Sequence, residues 1–481
     1  MKRYSVIIAI LAFSLTAFGQ NQVDALRYSS LDGTGTARFS SMAGAFSSLG
    51  GDFSAISLNP AGLGVYRSSE FTFTPSIAYT RSNASFLGNS ETDFTYNVNM
   101  GNIGYVGTIL IDAEDYALKS MSFGFGYNNL NNFNEVIEIE GENSINSMTD
   151  HFASRANGVD VSSFDNFYLT PAWKTYLFDP IVPDTTAYMS AYDARGQAQR
   201  MAINRKGYMG EYVFSAGFNF NHQLYIGASF GIQNVNFSQN IFYEEEDPND
   251  LITDFNSFEY TDRFEADGTG YNFKIGAIYR PLDWMRVAAA LHTPTFYNMY
   301  EEYSTNFSSV FVDTSYSYAS PSGYFKYSLI SPLRAVAGMS FIIMNQAIVS
   351  FDYEFLDYSI SKLRSDGYPF NEENDAIQDA FKASHAFKVG AEYKLGLIAL
   401  RGGYSYITSP FASGQINAGD DLMKFSGGFG FRTQAFFFDM AYVYQNKSKK
   451  YLMYEGYGLD APETKIDNLR HSVLATIGFR F

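Results

Sequence analysis

Cysteine is missing from this 481-residue chain, so it has no disulfide framework, and thiol chemistry says nothing about the compartment it works in. The same absence excludes a lipid-anchored lipoprotein, which needs a cysteine at its processing site. Basic residues are scarce, 33 Lys and Arg against 50 Asp and Glu, and the formal charge of −17 makes the chain a poor partner for nucleic acid. After residue 20 no apolar stretch approaches the roughly 18 residues of a membrane helix. Such a chain can enter a bilayer only as a closed barrel, because hydrocarbon offers no water to unpaired backbone groups. The five histidines, at 151, 222, 292, 385 and 471, show no paired metal-ligand spacing. No Gly-x-Gly stretch leads into a helix that would make it a phosphate loop. No serine, histidine and acid set can be argued from spacing either, so no catalysis, no metal and no cofactor are expected.

What the chain has in abundance is aromatic side chains, 45 Phe and 37 Tyr. It opens MKRYSVIIAILAFSLTAFGQ, with Lys2 and Arg3, an apolar run from Val6 to Leu15, and Ala17 and Gly19 just ahead of Gln20. This reads as a secretory signal peptide over 1–19, too short for the roughly 30 Å core of a bilayer; the alternative is a buried N-terminal helix. From Glu70 onward, segments of about ten residues alternate with the period of a two-faced strand. In EYVFSAGFNFN, Tyr212, Phe214, Ala216, Phe218 and Phe220 share one face, and Ser215, Gly217, Asn219 and Asn221 share the other. One face is large and apolar, and the other is small, polar or glycine.

Fourteen such segments can be placed between 70 and 481. Tight connections, as at 112–115, 280–283, 344–346 and 433–434, alternate with long ones. A sandwich has no reason to sort its loops in this way, whereas an outer-membrane barrel has short periplasmic turns and long extracellular loops. The expected fold is therefore all-β, a transmembrane antiparallel β-barrel of about 14 strands over 70–481. Long extracellular loops are expected at 129–210, 239–269 and 297–332. FVDTSYSYASPSGYFKYSLIS, 310–330, reads as a hairpin in the last of these; if it crosses the bilayer instead, the count becomes sixteen.

Residues 20–69 follow another rule. ARFSSMAGAFSSLGG, 37–51, is expected to form a short helix stopped at Gly50 and Gly51, with Asp52 as N-cap of a second short helix, FSAIS. Pro60 pushes Asn59 out of helical geometry, so NPAGLG turns the chain abruptly before the first strand. Short helices of small residues suit a compact plug, a hatch folded inside the lumen. In the loop 129–210, Phe167, Tyr168, Trp173, Tyr176, Leu177 and Phe178 lie close in sequence; they either pack a loop mini-core or form an apolar binding surface. Gly124 and Gly126 are candidates for a kink in the wall.

The small residues followed by Asp52 and then by Asn59, Pro60, Ala61 and Gly62 resemble the N-terminal pattern of the FadL family, outer-membrane transporters of long-chain fatty acids and other hydrophobic compounds. RPLDWMRVAAALHTP (280–294), LRAVAGMSF (333–341), LRGGYSYITSPF (400–411), FSGGFGFRT (425–433) and the terminal aromatic Phe481 extend the similarity along the chain. The resemblance implies a fourteen-stranded barrel whose hatch carries the Asn-Pro-Ala-Gly motif as its gating element. Substrate would pass from an extracellular apolar groove into a barrel pocket and leave sideways through a gap where a strand is kinked. Phe481 would be the assembly signal for the barrel-assembly machinery. The implied setting is the outer membrane of a Gram-negative bacterium, with a hydrophobic small-molecule ligand, contact with outer-membrane lipid and a monomeric state. The leader and the tyrosine-rich strands are similar to the Bacteroidetes branch, whose members are often labelled haemin receptors. A haem-binding receptor, with His151 or His385 as axial ligand, is thus one alternative reading; a non-transporting barrel partner of a secretion or assembly machine is the other. The acidic clusters Glu244, Glu245, Glu246, Asp247 and Glu372, Glu373, Asp375 read as solvated loop tips.

Overall fold

The computed structural model describes residues 22–111, 116–182, 186–193, 196–454 and 461–481. The expected leader and the turn at 112–115 lie outside the described residues. Among these residues, fourteen strands form one closed antiparallel wall. They are β1 Glu70–Phe86, β2 Asn89–Leu110, β3 Leu118–Asn132, β4 Gln197–Phe220, β5 Leu224–Glu246, β6 Phe255–Leu282 and β7 Met285–His292 continued by Phe296–Phe311. Then come β8 Gly323–Ile330 continued by Arg334–Ile343, β9 Ala347–Asp357, β10 Ala383–Leu395, β11 Ile398–Ile407, β12 Leu422–Arg432, β13 Phe436–Leu452 and β14 Glu463–Arg480. β14 returns to pair with β1, with Phe71 opposite Phe479, so the seam has no free edge to satisfy.

The two faces fall as their chemistry requires. On β4, Tyr212 and Phe214 point outward and stay exposed, while Glu211, Val213 and Ser215 are buried inward. On β14, Val473, Ile477 and Phe479 are exposed, and Leu474 and Thr476 are buried. The large apolar face is thus the outer face, which lipid can cover, and the small polar face looks onto the lumen.

Several expected loops are strand instead. β5 and β6 stay paired as far as Glu246 opposite Ser257, so most of 239–269 is a hairpin stem. In 297–332, Phe296–Phe311 completes β7, and Gly323–Ile330 pairs with it as the upper part of β8. The segment 310–330 therefore adds no spanning pair, and the count stays at fourteen. β1 and β2 are joined by Leu87–Gly88 alone, both at positive φ. The reason is length. About ten residues cross the hydrocarbon, whereas β6 has 28, and beyond the lipid the outer face no longer has to be apolar. β7 and β8 break next to each other around Pro294 and Pro332, residues that cannot donate to a ladder.

The N-terminal segment fills the lumen. α1 Gln22–Ser29 and α2 Ala37–Ser41 are followed by turns and by two 3₁₀ helices, Ser54–Ser57 and Pro60–Val65. The helix expected over 37–51 stops early, because Ala43 and Gly44 both take positive φ and turn the chain. Asp52 does not cap the second helix from the N-cap position, which is Phe53. Its carboxylate accepts the N–H of Ser54 at 3.0 Å and the hydroxyl of Thr36 at 2.7 and 2.8 Å, tying the start of α2 to the start of the helix Ser54–Ser57. Burial pushes the Asp52 carboxyl above its usual range.

The long insertion between β3 and β4 carries a strand, Glu135–Asn143, paired to β4, then α3 Met148–Ala156, α4 Leu169–Lys174 and a small hairpin, Phe178–Pro180 with Tyr188–Ser190. It builds its own apolar core on the outer ends of the strands.

Candidate functional site

The hatch is an irregular backbone inside a barrel, so its N–H and C=O groups need partners. Wall side chains supply many of them. Ala37 N–H donates to Thr476 Oγ1 at 2.7 Å, Ala43 N–H to Ser426 Oγ at 3.0 Å, and Ser47 N–H to the Asp352 carboxylate at 2.7 Å. Arg286 donates to Leu49 O at 2.7 Å, and the His292 imidazole meets Leu58 O at 2.9 Å. The expected motif residues sit in this seat. Asn59 Oδ1 accepts the N–H of Ala61 at 3.1 Å, and Asn59 Nδ2 donates to Ser47 O at 2.8 Å and to Ala277 O on β6 at 3.3 Å. Asn59 therefore starts the helix Pro60–Val65 and joins two hatch turns to the wall. Pro60 packs where β5 carries Gly227, whose Cβ would lie 2.3 Å from the Pro60 carbonyl, and Gly62 faces Gly50.

Between hatch and wall a cavity of about 170 Å³ remains. Leu31, Phe39, Leu58, Leu130, Leu356 and Val443 give it apolar surface. Lys274, Arg334, Lys388, Lys424 and Arg470 also line it, against the carboxylates of Asp32 and Glu354. Lys274 meets Glu211 at 2.5 and 2.6 Å, while Glu354 is shared by Arg334 and Lys388 and Asp32 takes Lys424. Arg470 donates to Thr80 Oγ1 and Asn132 O, each at 3.2 Å. With Glu211 counted, five positive charges meet three negative ones. Burial alone would lift the Asp32 carboxyl, but Lys424 and Arg470 hold it below the ordinary carboxylate range. Sequence reasoning missed these cations because each sits on a different strand; the available signal was a charge on the small polar face, as Lys274 in YNFKIG or Lys388 in HAFKVG.

The wall opens beside this cavity. The β2–β3 ladder ends at Asn102 opposite Asn128, and residues 89–100 of β2 pair with β1 alone. β3 slips register against β4 between Asn129 and Asn131, and the Leu130 carbonyl accepts the N–H of Asp32 at 2.9 Å. Asn132 Nδ2 reaches across to Asn97 Oδ1 at 2.9 Å. The register shift lies at 129–131, and Gly124 and Gly126 pair regularly on both sides. Those glycines answer to the hatch: a Cβ on Gly124 would meet Leu63 and Ile56, and one on Gly126 would lie 2.6 Å from Phe53.

The expected apolar loop surface is mostly closed. Leu177 and Phe178 are fully buried in the mini-core, with Tyr168 and Trp173 packed against it. Phe167 meets Tyr303 edge-on, and Tyr176 alone of the six stays exposed, against Tyr316. The reason is the aromatic density of the insertion, which buries its own rings before it can present them. Glu245 is also buried, corrected from a loop tip, and accepts from Ser147 Oγ, Met148 N–H, Gln199 Nε2 and the hydroxyls of Tyr192 and Tyr243. His385 shares the outward face of β10 with Phe387 and Val389 and bonds Tyr353, while His151 on α3 packs against Phe152 and Tyr454. The two histidines do not share a pocket with the lumenal cavity. Phe481 exchanges two backbone hydrogen bonds of 3.1 Å with Ser69 and stacks on Tyr105.

Residues 183–475 match the family model described as outer membrane protein transport protein (OMPP1/FadL/TodX). No curated protein matches the sequence. Among solved structures, the chain is similar to a Pseudomonas aeruginosa FadL homologue, with TM-score 0.56 and 14% identity over 94% of this chain and 100% of that one. It is also similar to the Pseudomonas putida toluene transporter TodX, with TM-score 0.53 and 13% identity over 94% and 99% of the two chains. For the Ralstonia pickettii toluene transporter TbuX the values are 0.50 and 15% over 94% and 99%. At these identities the likeness is one of fold.

Proposed function

We infer the substrate from the premise that this chain belongs to the OMPP1/FadL/TodX family of outer membrane transport proteins. It is a hatch-plugged barrel in the outer membrane of a Gram-negative bacterium, and it serves the transport of hydrophobic molecules. Within that class, our reading is an amphiphile of fatty-acid type, an apolar tail with an anionic head. The observation that carries it is the cavity's excess of cations, above all Arg470, which hydrogen-bonds neutral oxygens of Thr80 and Asn132 and shares the Asp32 carboxylate with Lys424. A neutral hydrocarbon would leave the cavity's positive excess unbalanced. A twelve-carbon tail would gain ~0.8 kcal/mol for each methylene taken from water, ample to drive capture.

In this reading the head rests among Lys274, Arg334 and Arg470, and the tail lies along the apolar lining. The hatch then shifts about the Asn59–Pro60–Ala61–Gly62 turn, and the substrate leaves through the gap above Asn102 and Asn128. The closed β1–β14 seam lets a single copy do this as a monomer, and Phe481 is offered as the assembly signal to the barrel-assembly machinery. The test is competition on the purified protein in detergent, with native mass spectrometry identifying what it carries. Laurate should bind and displace resident ligand, dodecanol should bind at least ten times more weakly, and Arg470→Gln should narrow the gap. Equal binding of laurate and dodecanol would refute the anionic head.

A further inference from the structure

Arg286 on β7, Ser340 on β8 and Ser350 on β9 stand in one row across three neighbouring strands, Arg286 opposite Ser340 and Ser340 opposite Ser350. Ser340 and Ser350 are fully buried on the lumenal face. The hatch crosses directly over them. Ser47 donates its N–H and its hydroxyl to Asp352, two residues from Ser350 on the same face, both at 2.7 Å. Two residues later, Leu49 O accepts from Arg286 at 2.7 Å. Ser48, also fully buried, is held between these two anchors and so over the row.

Four buried polar atoms on this row and the turn above it have no partner among the described residues: Arg286 Nε and the hydroxyl oxygens of Ser48, Ser340 and Ser350. All four can donate. No carboxylate forms an ion pair with Arg286 among the described residues, and the nearby Asp352 is committed to Ser47. An arginine cannot shed its charge, so the row holds a positive group whose Nε needs an acceptor. Isolated orphan hydroxyls have many explanations, but unmatched donors on one cross-strand row and on the hatch turn anchored over it call for a common occupant. Water would satisfy the hydroxyls and leave the charge; a small anion satisfies both. Size is limited because the hatch fits tightly on either side. A Cβ on Gly338 would lie 1.9 Å from Ser47 Oγ, and one on Gly390 would lie 2.8 Å from Met42.

We propose that Arg286, Ser48, Ser340 and Ser350 form a buried site for a small monovalent anion of halide size, and that this ion clamps hatch residues 47–49 to the wall. The site is separate from the substrate cavity and stands or falls independently of the substrate reading. It makes the seating of the hatch depend on the identity of the salt as well as on its concentration.

Full-length protein crystallised with bromide in place of chloride should show an anomalous peak within hydrogen-bonding distance of Arg286 Nε and the three hydroxyls. In detergent, amide exchange at 45–51 should be several-fold slower in chloride than in gluconate at equal ionic strength. That difference should saturate with chloride and vanish in Arg286→Gln and in Ser340→Ala with Ser350→Ala. If Arg286→Gln fails to assemble, the double serine variant carries the test, since it leaves the Arg286–Leu49 contact intact. A row occupied by water with no bromide signal overturns the proposal. So does a bromide peak with exchange identical in both salts, which would mean an adventitious ion only.

Discussion

Replacing Glu392 with glutamine asks whether charge holds the hatch in its seat. Glu392 on β10 is only 2% exposed and receives Arg38 of the hatch at 2.9 and 3.3 Å and Arg401 of β11 at 2.6 Å. Arg401 continues to Asp439 at 2.6 Å, and Arg432 reaches the other oxygen of Asp439 at 2.7 Å. Three guanidinium groups thus share two carboxylates, and Glu392→Gln leaves three against one. Deleting one partner of a buried pair costs about 3–5 kcal/mol. Glutamine keeps one acceptor oxygen, so the lower end applies, and ~3 kcal/mol is about two decades in an equilibrium constant. Arg401 and Arg432 are fixed in the wall, whereas Arg38 can leave with the hatch. The cost should therefore appear as hatch release and not as loss of the barrel. Measured by exchange mass spectrometry under conditions that report opening equilibria, peptides within 37–66 should exchange on the order of 100-fold faster, with β10 to β13 unchanged. Arg38→Gln should do less, because Glu392 keeps Arg401, and adding Arg38→Gln to Glu392→Gln should recover part of the loss. A rise below about threefold, or one spread evenly over the wall, would refute the claim that this ion pair is the latch.

Gly403→Leu places a Cβ 2.4 Å from the Met42 carbonyl carbon, so the barrel should still assemble with heat-modifiable migration while the segment 37–66 becomes protease-sensitive; full protection would contradict the close seat. Asn59→Ala removes three hydrogen bonds and should raise opening of Pro60–Val65 by about 1–3 kcal/mol, read as faster local exchange, with wild-type exchange as the negative outcome. With no cysteine elsewhere, Asn97→Cys with Asn132→Cys can be joined by a short bis-maleimide across the wall gap; uptake of a fluorescent fatty acid into outer-membrane vesicles should fall, and undiminished uptake would exclude this gap as the exit. Asp32 has a depressed folded pKa, so its contribution is complete above the unfolded value of about 4 and is lost only as pH falls through the lower folded value. Protection of α1 from protease should accordingly be level from pH 8 to pH 5, and a drop within that range would contradict the Lys424 and Arg470 assignment.

Period-two alternation told which face of each strand meets lipid, since a residue such as Phe214 or Ile477 can be placed by its neighbours alone. It could not tell where a strand ends. Above the bilayer the outer face of β5 and β6 turns polar while pairing continues, so Asn240 and Glu259 look like loop residues although they sit in register. Proline misled in the opposite way, since Pro294 and Pro332 resemble strand ends and instead interrupt β7 and β8 in mid-wall. The Asn-Pro-Ala-Gly turn was legible because its restraints are local, whereas its partner Ala277 is 218 residues away. The lumenal cations were illegible for a related reason. Lys274, Arg334, Lys388, Lys424 and Arg470 are set one to a strand, and only barrel closure turns five separate inward charges into one site. A charge inside a spanning strand is costly wherever it is not answered, so an inward Lys or Arg in such a strand is itself a signal. Applied to Arg286, which neither the motif nor the cavity claims, the same reasoning leads to the row of unanswered donors beneath Ser48.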